Sequence, residues 1–149
     1  MPSAILSLKG RALRLLAQRE HSRPELERKL ARYEEEPGAL AQVLDELAAK
    51  DFISEARVVQ SVLHQRAARL GAARVRQELL HKGIAPEAVA EAVAGLQGSE
   101  FERALEVWKR RFGQLPQDAA ERARQVRFLM ARGFAGAVVA KVLRHDPDE

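Results

Sequence analysis

Apolar residues recur along the chain at the three- and four-residue spacing of an amphipathic α-helix. Leu40, Val43, Leu44 and Leu47 show this spacing in one segment, and the same period continues through most of the sequence. No segment alternates apolar and polar residues in the way that a half-buried β-strand does. The pattern predicts an all-α protein with nine helices, near residues 9–20, 23–33, 37–50, 55–70, 73–82, 86–96, 100–112, 119–132 and 135–145.

Residues with capping and turn chemistry separate these segments. A Ser or Asp three residues before a Glu predicts a capping box, and this spacing occurs in Ser22 with Glu25, Ser99 with Glu102 and Asp118 with Glu121. Proline fits the first turn of a helix at Pro37 and Pro86. Glycine in the left-handed conformation is expected to end four helices, at Gly71, Gly83, Gly113 and Gly133.

The nine segments group into three similar triplets. A shift of 50 residues superposes the pattern around Gly83 on the pattern around Gly133, and a shift of 42 residues superposes Gly71 on Gly113. Such self-similarity at a fixed period is typical of repeat proteins. The predicted units are residues 1–53, 54–97 and 98–149.

The first triplet joins this series less regularly, and the 50-residue shift places its Leu30 on Leu80. A helical unit of about 45 residues has too small a core to be robust alone. Neighbouring units are therefore expected to stack and share their buried surface, as in other repeat arrays. The expected architecture is an elongated, curved array of three three-helix repeats.

Residue types that carry chemistry are scarce in this pattern. The chain has no cysteine, which excludes disulfides and thiol nucleophiles and favours a cytoplasmic location. Neither a P-loop nor a dinucleotide-binding glycine motif occurs, and charges interrupt every apolar stretch before it reaches the length of a membrane span. Four histidines without metal-ligand spacing are expected in solvent or at helix ends: His21, His64, His81 and His145. The sequence predicts no enzyme activity, cofactor, metal site or membrane segment.

Positive charge is concentrated in the later part of the chain. The net charge is only +4, but ten bases face three acids between Arg103 and Arg144. One basic face is predicted from Lys109, Arg110, Arg111, Arg122, Arg124, Arg127 and Arg132. A comparable face in the middle triplet is predicted from Arg66, Arg69, Arg74, Arg76 and Lys82. Trp108 borders the first of these faces and is expected to lie in the core rather than to stack on a base.

Repetition of a basic face favours a polyanionic partner. Each phosphate that a base neutralises adds about one unit to the salt dependence of binding on a log-log scale. A second interpretation is a sequence-specific DNA-binding regulator that uses a helix-turn-helix unit at residues 74–93 or 124–143. Three similar units in tandem exceed what one operator-reading domain requires, so the extended binding protein is favoured.

Three motifs give the chain a specific resemblance to a known family. They are ALRLLAQREHSRPEL at residues 12–26 followed by Lys29 and Leu30, LLHKGI at residues 79–84, and FLMARGF at residues 128–134. In these motifs the chain resembles the RecX family of bacterial recombination regulators. The resemblance covers nearly the whole chain, in order.

The resemblance implies a fold of three tandem three-helix repeats, which agrees with the periodicity. It also implies binding to the RecA recombinase on DNA, in the groove of the nucleoprotein filament, with inhibition of ATP hydrolysis and strand exchange and a role in DNA repair and the SOS response. We expect a monomer that binds single- or double-stranded DNA weakly when alone. The family usually has an acidic pair, an Arg and an aromatic residue at the start of the middle unit, whereas here Ser54 and Val58 replace one acid and the aromatic.

Overall fold

The computed structural model describes residues 5–148, and every regular element in that range is a helix. The α-helices are α1 (Leu8–Gln18), α2 (Arg23–Leu30), α3 (Ala39–Ala49), α4 (Glu55–Arg66), α5 (Ala72–His81), α6 (Pro86–Leu96), α7 (Glu100–Arg111), α8 (Ala119–Ala131) and α9 (Gly136–Val142). Short 3-10 helices follow α2 at Ala31–Tyr33 and α6 at Gln97–Ser99. No described helix has the length and apolar character that crossing a membrane requires. The prediction of an all-α protein is confirmed.

Local capping chemistry sets several helix ends, and Ser22 is the clearest case. Its hydroxyl accepts a hydrogen bond from the N–H of Glu25, and the Glu25 carboxylate accepts one from the N–H of Ser22 at 3.0 Å. Asp118 likewise accepts from the N–H of Glu121 at 2.8 Å. The left-handed conformation predicted at four glycines is present at three of them, with φ of 78°, 72° and 90° at Gly83, Gly113 and Gly133.

Other boundary predictions are wrong, because a different local interaction prevails. Ser99 does not cap α7; its hydroxyl donates to the Leu96 carbonyl at 3.2 Å. Pro37 precedes α3, which begins at Ala39 after a left-handed Gly38. α4 ends at Arg66 rather than near residue 70.

The described chain folds into two compact units. The first unit contains the described residues up to Ser61 together with His81–Ile84, and the second contains Val62–Leu80 and the described residues from Ala85 onward. The helices α1, α2 and α3 share a core in the first unit, formed by Ala12, Leu26, Leu30, Leu40, Leu44 and Leu47. A second core, in the second unit, is formed by Ala104, Trp108, Leu129, Phe134, Val139, Val142 and Leu143. The triplet boundaries at residues 53 and 97 stay predictions.

Gly71 in the second unit is required by a close backbone approach. A Cβ atom at this position would lie 2.2 Å from the carbonyl oxygen of Gly133, while the N–H of Gly71 donates to the carbonyl of Arg132 at 2.8 Å. The φ angle of Gly71 is not positive. The predicted left-handed Gly71 is therefore wrong: small size is what the position needs.

The first unit contains an equivalent joint. The Ser22 hydroxyl donates to the carbonyl of Lys82, and a Cβ atom on Gly83 would meet the Pro24 ring at 2.6 Å. Positions 22 and 71 are therefore equivalent in successive triplets. Each forms a hydrogen bond to the turn that follows the second helix of the next triplet, at Lys82 after α5 and at Arg132 after α8. With positions 22 and 71 equivalent, Leu30 is equivalent to Leu79, which is fully buried as Leu30 nearly is. The sequence alignment of Leu30 with Leu80, which is 39% exposed, is therefore wrong by one residue.

Trp108 lies in the core of the second unit, as predicted, and it is 3% exposed. Its indole N–H donates to the side-chain oxygen of Gln125 at 2.8 Å, and the Gln125 amide donates to the Gln114 carbonyl at 3.1 Å. Replacing Trp108 with Phe leaves a buried oxygen without its donor, so we expect the free energy of unfolding to fall by about 1–3 kcal/mol.

Urea unfolding followed by circular dichroism measures this change. The matched control is the double variant Trp108→Phe with Gln125→Leu, which removes both partners and should recover part of the loss. Equal stability of Trp108→Phe and the wild type would contradict the prediction.

Candidate nucleic-acid interface

The bases at the end of α7 and along α8 lie on the surface of the second unit. All are exposed except Arg132, which is half-buried: Lys109, Arg110, Arg111, Arg122, Arg124, Arg127 and Arg132. α7 buries Ala104 and Trp108, one turn apart, and α8 buries Gln125 and Leu129 with the same spacing. The apolar stripe of each helix thus turns its basic residues outward.

Phe128 is the point at which the two basic helices meet. The guanidinium of Arg111 lies 5.3 Å from the centre of its ring, and that of Arg132 lies 4.9 Å from it. Phe112 packs edge-on against the same ring, with centres 5.4 Å apart. Two arginines are thereby held beside a half-buried aromatic residue at distances typical of cation–π contacts.

Helix geometry assembles part of the predicted set around this centre. Residues three and four apart are neighbours on a helix surface, so Arg124 lies beside both Arg127 and Phe128. Arg122 is two residues from Arg124 and therefore points to another side of α8. By the same rule, Lys109 and Arg110 point to other sides of α7 than Arg111 does. The surface formed by Arg111, Arg124, Arg127, Phe128 and Arg132 is called the α7–α8 basic surface below.

Little of the positive charge in the second unit is neutralised by nearby carboxylates. Among the described bases of this unit, only Arg66 and Lys109 form ion pairs, with Glu78 at 3.4 Å and Glu106 at 3.8 Å. Arg103 has no ion pair among the described residues but is not free to bind a partner, because its guanidinium donates to the Ala67 and Leu70 carbonyls. Its burial lowers its pKa. The exposed bases of α8 keep an uncompensated charge that an anionic partner can use.

The predicted basic face of the middle triplet is divided by the structure. Arg74 donates to the Ala131 carbonyl at 2.7 Å and so belongs to the joint around Gly133. Arg69 donates to the carbonyl of Gln65, one turn earlier, at 3.4 Å, while Arg76 is exposed. Lys82 belongs to the first unit, where its side chain is only 16% exposed and lies 3.4 Å from Glu25.

Sequence reasoning missed a basic groove in the first unit. It has a volume of about 680 Å³ and lies along α1 and the end of α2, lined by Arg11, Arg14, Arg28, Lys29, Arg32 and Tyr33 together with apolar residues. These bases are spread over 22 residues among the acids of the same segment, so no basic run marks them in the sequence. The four-residue spacing of Arg28 and Arg32, one helical turn apart, was the available signal.

His21 lies at a helix end, directly before the N-cap Ser22 of α2, which is one of its two predicted places; it is not in solvent, because it is 1% exposed. Its Nδ1 lies 3.0 Å from the Arg19 carbonyl oxygen and its Nε2 lies 3.0 Å from Lys29 Nζ. Burial lowers the pKa of His21, so the neutral ring donates from Nδ1 and accepts from Lys29. The described residues contain no cluster of three or more side chains suited to hold a metal ion.

Family models match the chain over all three helical triplets. The first, second and third three-helix domains of RecX match residues 9–47, 54–93 and 99–143. The regulatory protein RecX of Leptothrix cholodnii is 57% identical over 148 residues, which cover 96% of this chain and 94% of that protein. The regulatory protein RecX of Ralstonia nicotianae is 49% identical over 144 residues, which cover 97% of this chain and 91% of that protein.

Solved structures agree on the fold. A crystal structure of a regulatory protein RecX has a TM-score of 0.72 at 19% identity, covering 93% of this chain and 72% of that one. RecX from Lactobacillus salivarius has a TM-score of 0.72 at 18% identity, covering 92% of both chains. The three tandem three-helix repeats expected from the sequence are thus confirmed. The chain belongs to the RecX family, whose members are regulatory proteins rather than enzymes, as the sequence predicts.

Proposed function

We propose that this protein binds the RecA filament on DNA and slows its ATP hydrolysis and strand exchange, and so regulates recombination, DNA repair and the SOS response in the cytoplasm. Membership of the RecX family supports a regulatory role. The observation that carries the proposal is the α7–α8 basic surface, where Arg111 and the half-buried Arg132 flank Phe128. Its arginines have no carboxylate partner among the described residues. A filament formed on DNA presents the polyanion that such a surface attracts.

Inhibition of this kind requires no catalytic group in the regulator. A helical protein lodged in the filament groove blocks the rearrangement that the recombinase needs, and the ATP belongs to the recombinase. Several weak patches that contact one filament act together through their effective concentration. We therefore propose a monomer whose binding to the filament is much tighter than its binding to free DNA.

The alternative is a sequence-specific helix-turn-helix regulator that uses residues 74–93 or 124–143. The second helix of each of these units, α6 or α9, does not favour it. In such proteins that helix enters the major groove and contacts the bases. α6 carries Glu87 and Glu91 and no base, so it would be repelled by the phosphates. The only base of α9 is Lys141, whose ammonium lies 4.3 Å from the Phe101 ring centre.

Phosphate release by RecA with single-stranded DNA and ATP tests the proposal. Adding the purified protein should lower the rate of phosphate release at amounts well below one regulator per recombinase protomer. The reason is that each bound regulator blocks the motion of several adjacent protomers in the filament. A rate that stays constant at saturating regulator would remove the proposal.

Neutralising the α7–α8 basic surface should weaken this inhibition. The triple variant Arg111→Gln, Arg124→Gln and Arg127→Gln removes charges that are exposed and have no ion pair among the described residues. If each contact contributes about 0.5–1 kcal/mol, the amount needed for half-inhibition rises roughly tenfold or more.

The matched control is the triple variant Lys9→Gln, Arg23→Gln and Lys50→Gln, which changes the net charge equally. Its three residues are surface bases already paired with carboxylates. Circular dichroism checks that both variants keep their helicity. Equal inhibition by the two variants would contradict a role of the α7–α8 basic surface in inhibition.

A further inference from the structure

We propose that the groove of the first unit, between α1 and the segment Arg28–Tyr33, binds the phosphodiester backbone of single-stranded DNA. This inference rests on the proposed function and deepens it, because it gives the protein a second contact with DNA. The residues of this contact are distant in sequence from the α7–α8 basic surface. It rests on three observations: the pairing of charges in the first unit, the aromatic centre of the groove, and the chemistry of its lining.

Charge pairing divides the bases of the first unit into two groups. Six of them lie within 4.0 Å of a carboxylate: Lys9, Arg19, Arg23, Lys50, Arg57 and Lys82. The other five have no ion pair among the described residues, and all five line the groove: Arg11, Arg14, Arg28, Lys29 and Arg32. None of the described residues that line the groove is a carboxylate. The unneutralised charge of this unit is therefore gathered in one concave place.

Bringing like charges together opposes folding unless water or an anion compensates them. Arg14, Arg28, Lys29 and Arg32 are exposed, and Arg11 is half-buried. Arg28 donates to the His81 carbonyl at 3.0 Å, and Lys29 donates to the neutral His21. These neutral acceptors orient the two side chains and leave their charge in place, so the groove is preorganised for an anion.

Tyr33 forms the aromatic centre of the groove. The Arg11 guanidinium lies 3.7 Å from the centre of its ring, and the Arg32 guanidinium lies 4.7 Å from it. Arg32 also donates to the Tyr33 hydroxyl at 2.6 Å. Guanidinium planes and aromatic rings are the surfaces on which proteins stack unpaired bases.

The combination favours a nucleic-acid strand over other anions. A free phosphate group needs two or three donors, whereas five bases along a groove of about 680 Å³ can neutralise several consecutive phosphates. An acidic protein segment would satisfy the charges but would make no use of stacking surfaces. A single strand uses both, because its phosphates and its bases are accessible at the same time.

Fluorescence anisotropy of a labelled oligothymidylate, with the full chain and no recombinase, tests the inference. Each phosphate contact on a single strand contributes about 0.7 to the slope of log affinity against log salt concentration. The variant Arg11→Gln, Arg14→Gln and Arg32→Gln should therefore lower the slope by about 2 and weaken binding at low salt by roughly tenfold or more. The paired-base variant Lys9→Gln, Arg23→Gln and Lys50→Gln has the same net charge and should stay close to the wild type.

Competition separates a strand site from a protein-docking site. Unlabelled oligothymidylate should displace the labelled strand at lower concentrations than polyglutamate of equal charge. An unchanged slope in the groove variant, an equal loss in both variants, or stronger displacement by polyglutamate would each overturn the inference. None of these results depends on the recombinase, so a failure here is distinguishable from a failure of the proposed function, which phosphate release measures.

Discussion

Replacing Gly71 with alanine is expected to lower the free energy of unfolding by about 3 kcal/mol, a large effect for the addition of one methyl group. The new Cβ would lie 2.2 Å from the Gly133 oxygen and 2.4 Å from the Phe134 nitrogen. Both are backbone atoms, which cannot turn away as a flexible side chain can. The joint must therefore open, and the hydrogen bond from Gly71 to Arg132 is strained or lost with it.

Urea unfolding followed by both circular dichroism and the fluorescence of Trp108 measures the loss. Gly95→Ala is the matched control, because Gly95 lies within α6 and its added Cβ meets no atom within 4 Å. That change should stabilise the protein by about 0.5–1 kcal/mol through helix propensity. A Gly71→Ala protein as stable as the wild type would contradict the close approach.

Replacing Glu25 with glutamine is expected to lower the free energy of unfolding by about 2–3 kcal/mol at neutral pH. Burial alone would raise the pKa of Glu25, but the hydrogen bonds from Arg19 and the Ser22 N–H, together with the nearby charge of Lys82, lower it to about 2. The shift from an ordinary value of 4.5 corresponds to about 3.4 kcal/mol. Because the Arg19 side chain is 41% exposed, solvent screening reduces the expected loss to about 2–3 kcal/mol. Glutamine keeps an acceptor for Ser22 but leaves Lys82 mostly buried without a counter-charge.

The contribution of Glu25 has a definite pH dependence. Because its pKa is lower in the folded chain, its stabilisation is complete above the unfolded pKa of about 4.5 and is lost as the pH falls through the folded value of about 2. The stability gap between the wild type and Glu25→Gln should be widest at neutral pH and should close towards pH 2. Urea unfolding across this range measures the gap, with the exposed Glu35→Gln as control; a gap independent of pH would contradict the assignment.

Helix positions were predictable from the sequence because their signals are local. The box formed by Ser22 and Glu25 involves residues one turn apart, and a left-handed glycine ends a helix wherever its own backbone allows. The burial of Trp108 followed from its place on the apolar stripe of α7. In each case the signal itself lies within a few residues, so periodicity and spacing were sufficient, whereas the bond from Trp108 to Gln125, 17 residues later, was not predictable in this way.

The candidate site was less predictable because it depends on contacts between distant residues. Nothing near Lys82 in the sequence indicates that its ammonium lies beside Glu25, 57 residues earlier. Gly71 was expected to bend the backbone, whereas its small size serves a contact with Gly133. The groove of the first unit escaped notice for the same reason: which bases remain unpaired is decided by tertiary ion pairs, and a count of charges along the chain does not reveal it.

The hydrogen bonds that Ser22 and Gly71 make in their joints end on main-chain oxygens, an atom that every amino acid supplies in the same position. Residues 82 and 132 can therefore change identity while these two bonds persist. Drift in sequence on the outer faces need not disturb the coupling of one triplet to the next. A protein assembled in this way can acquire new surface chemistry module by module, and hybrid chains that exchange whole triplets between relatives should fold provided that the small residues at the seams travel with them.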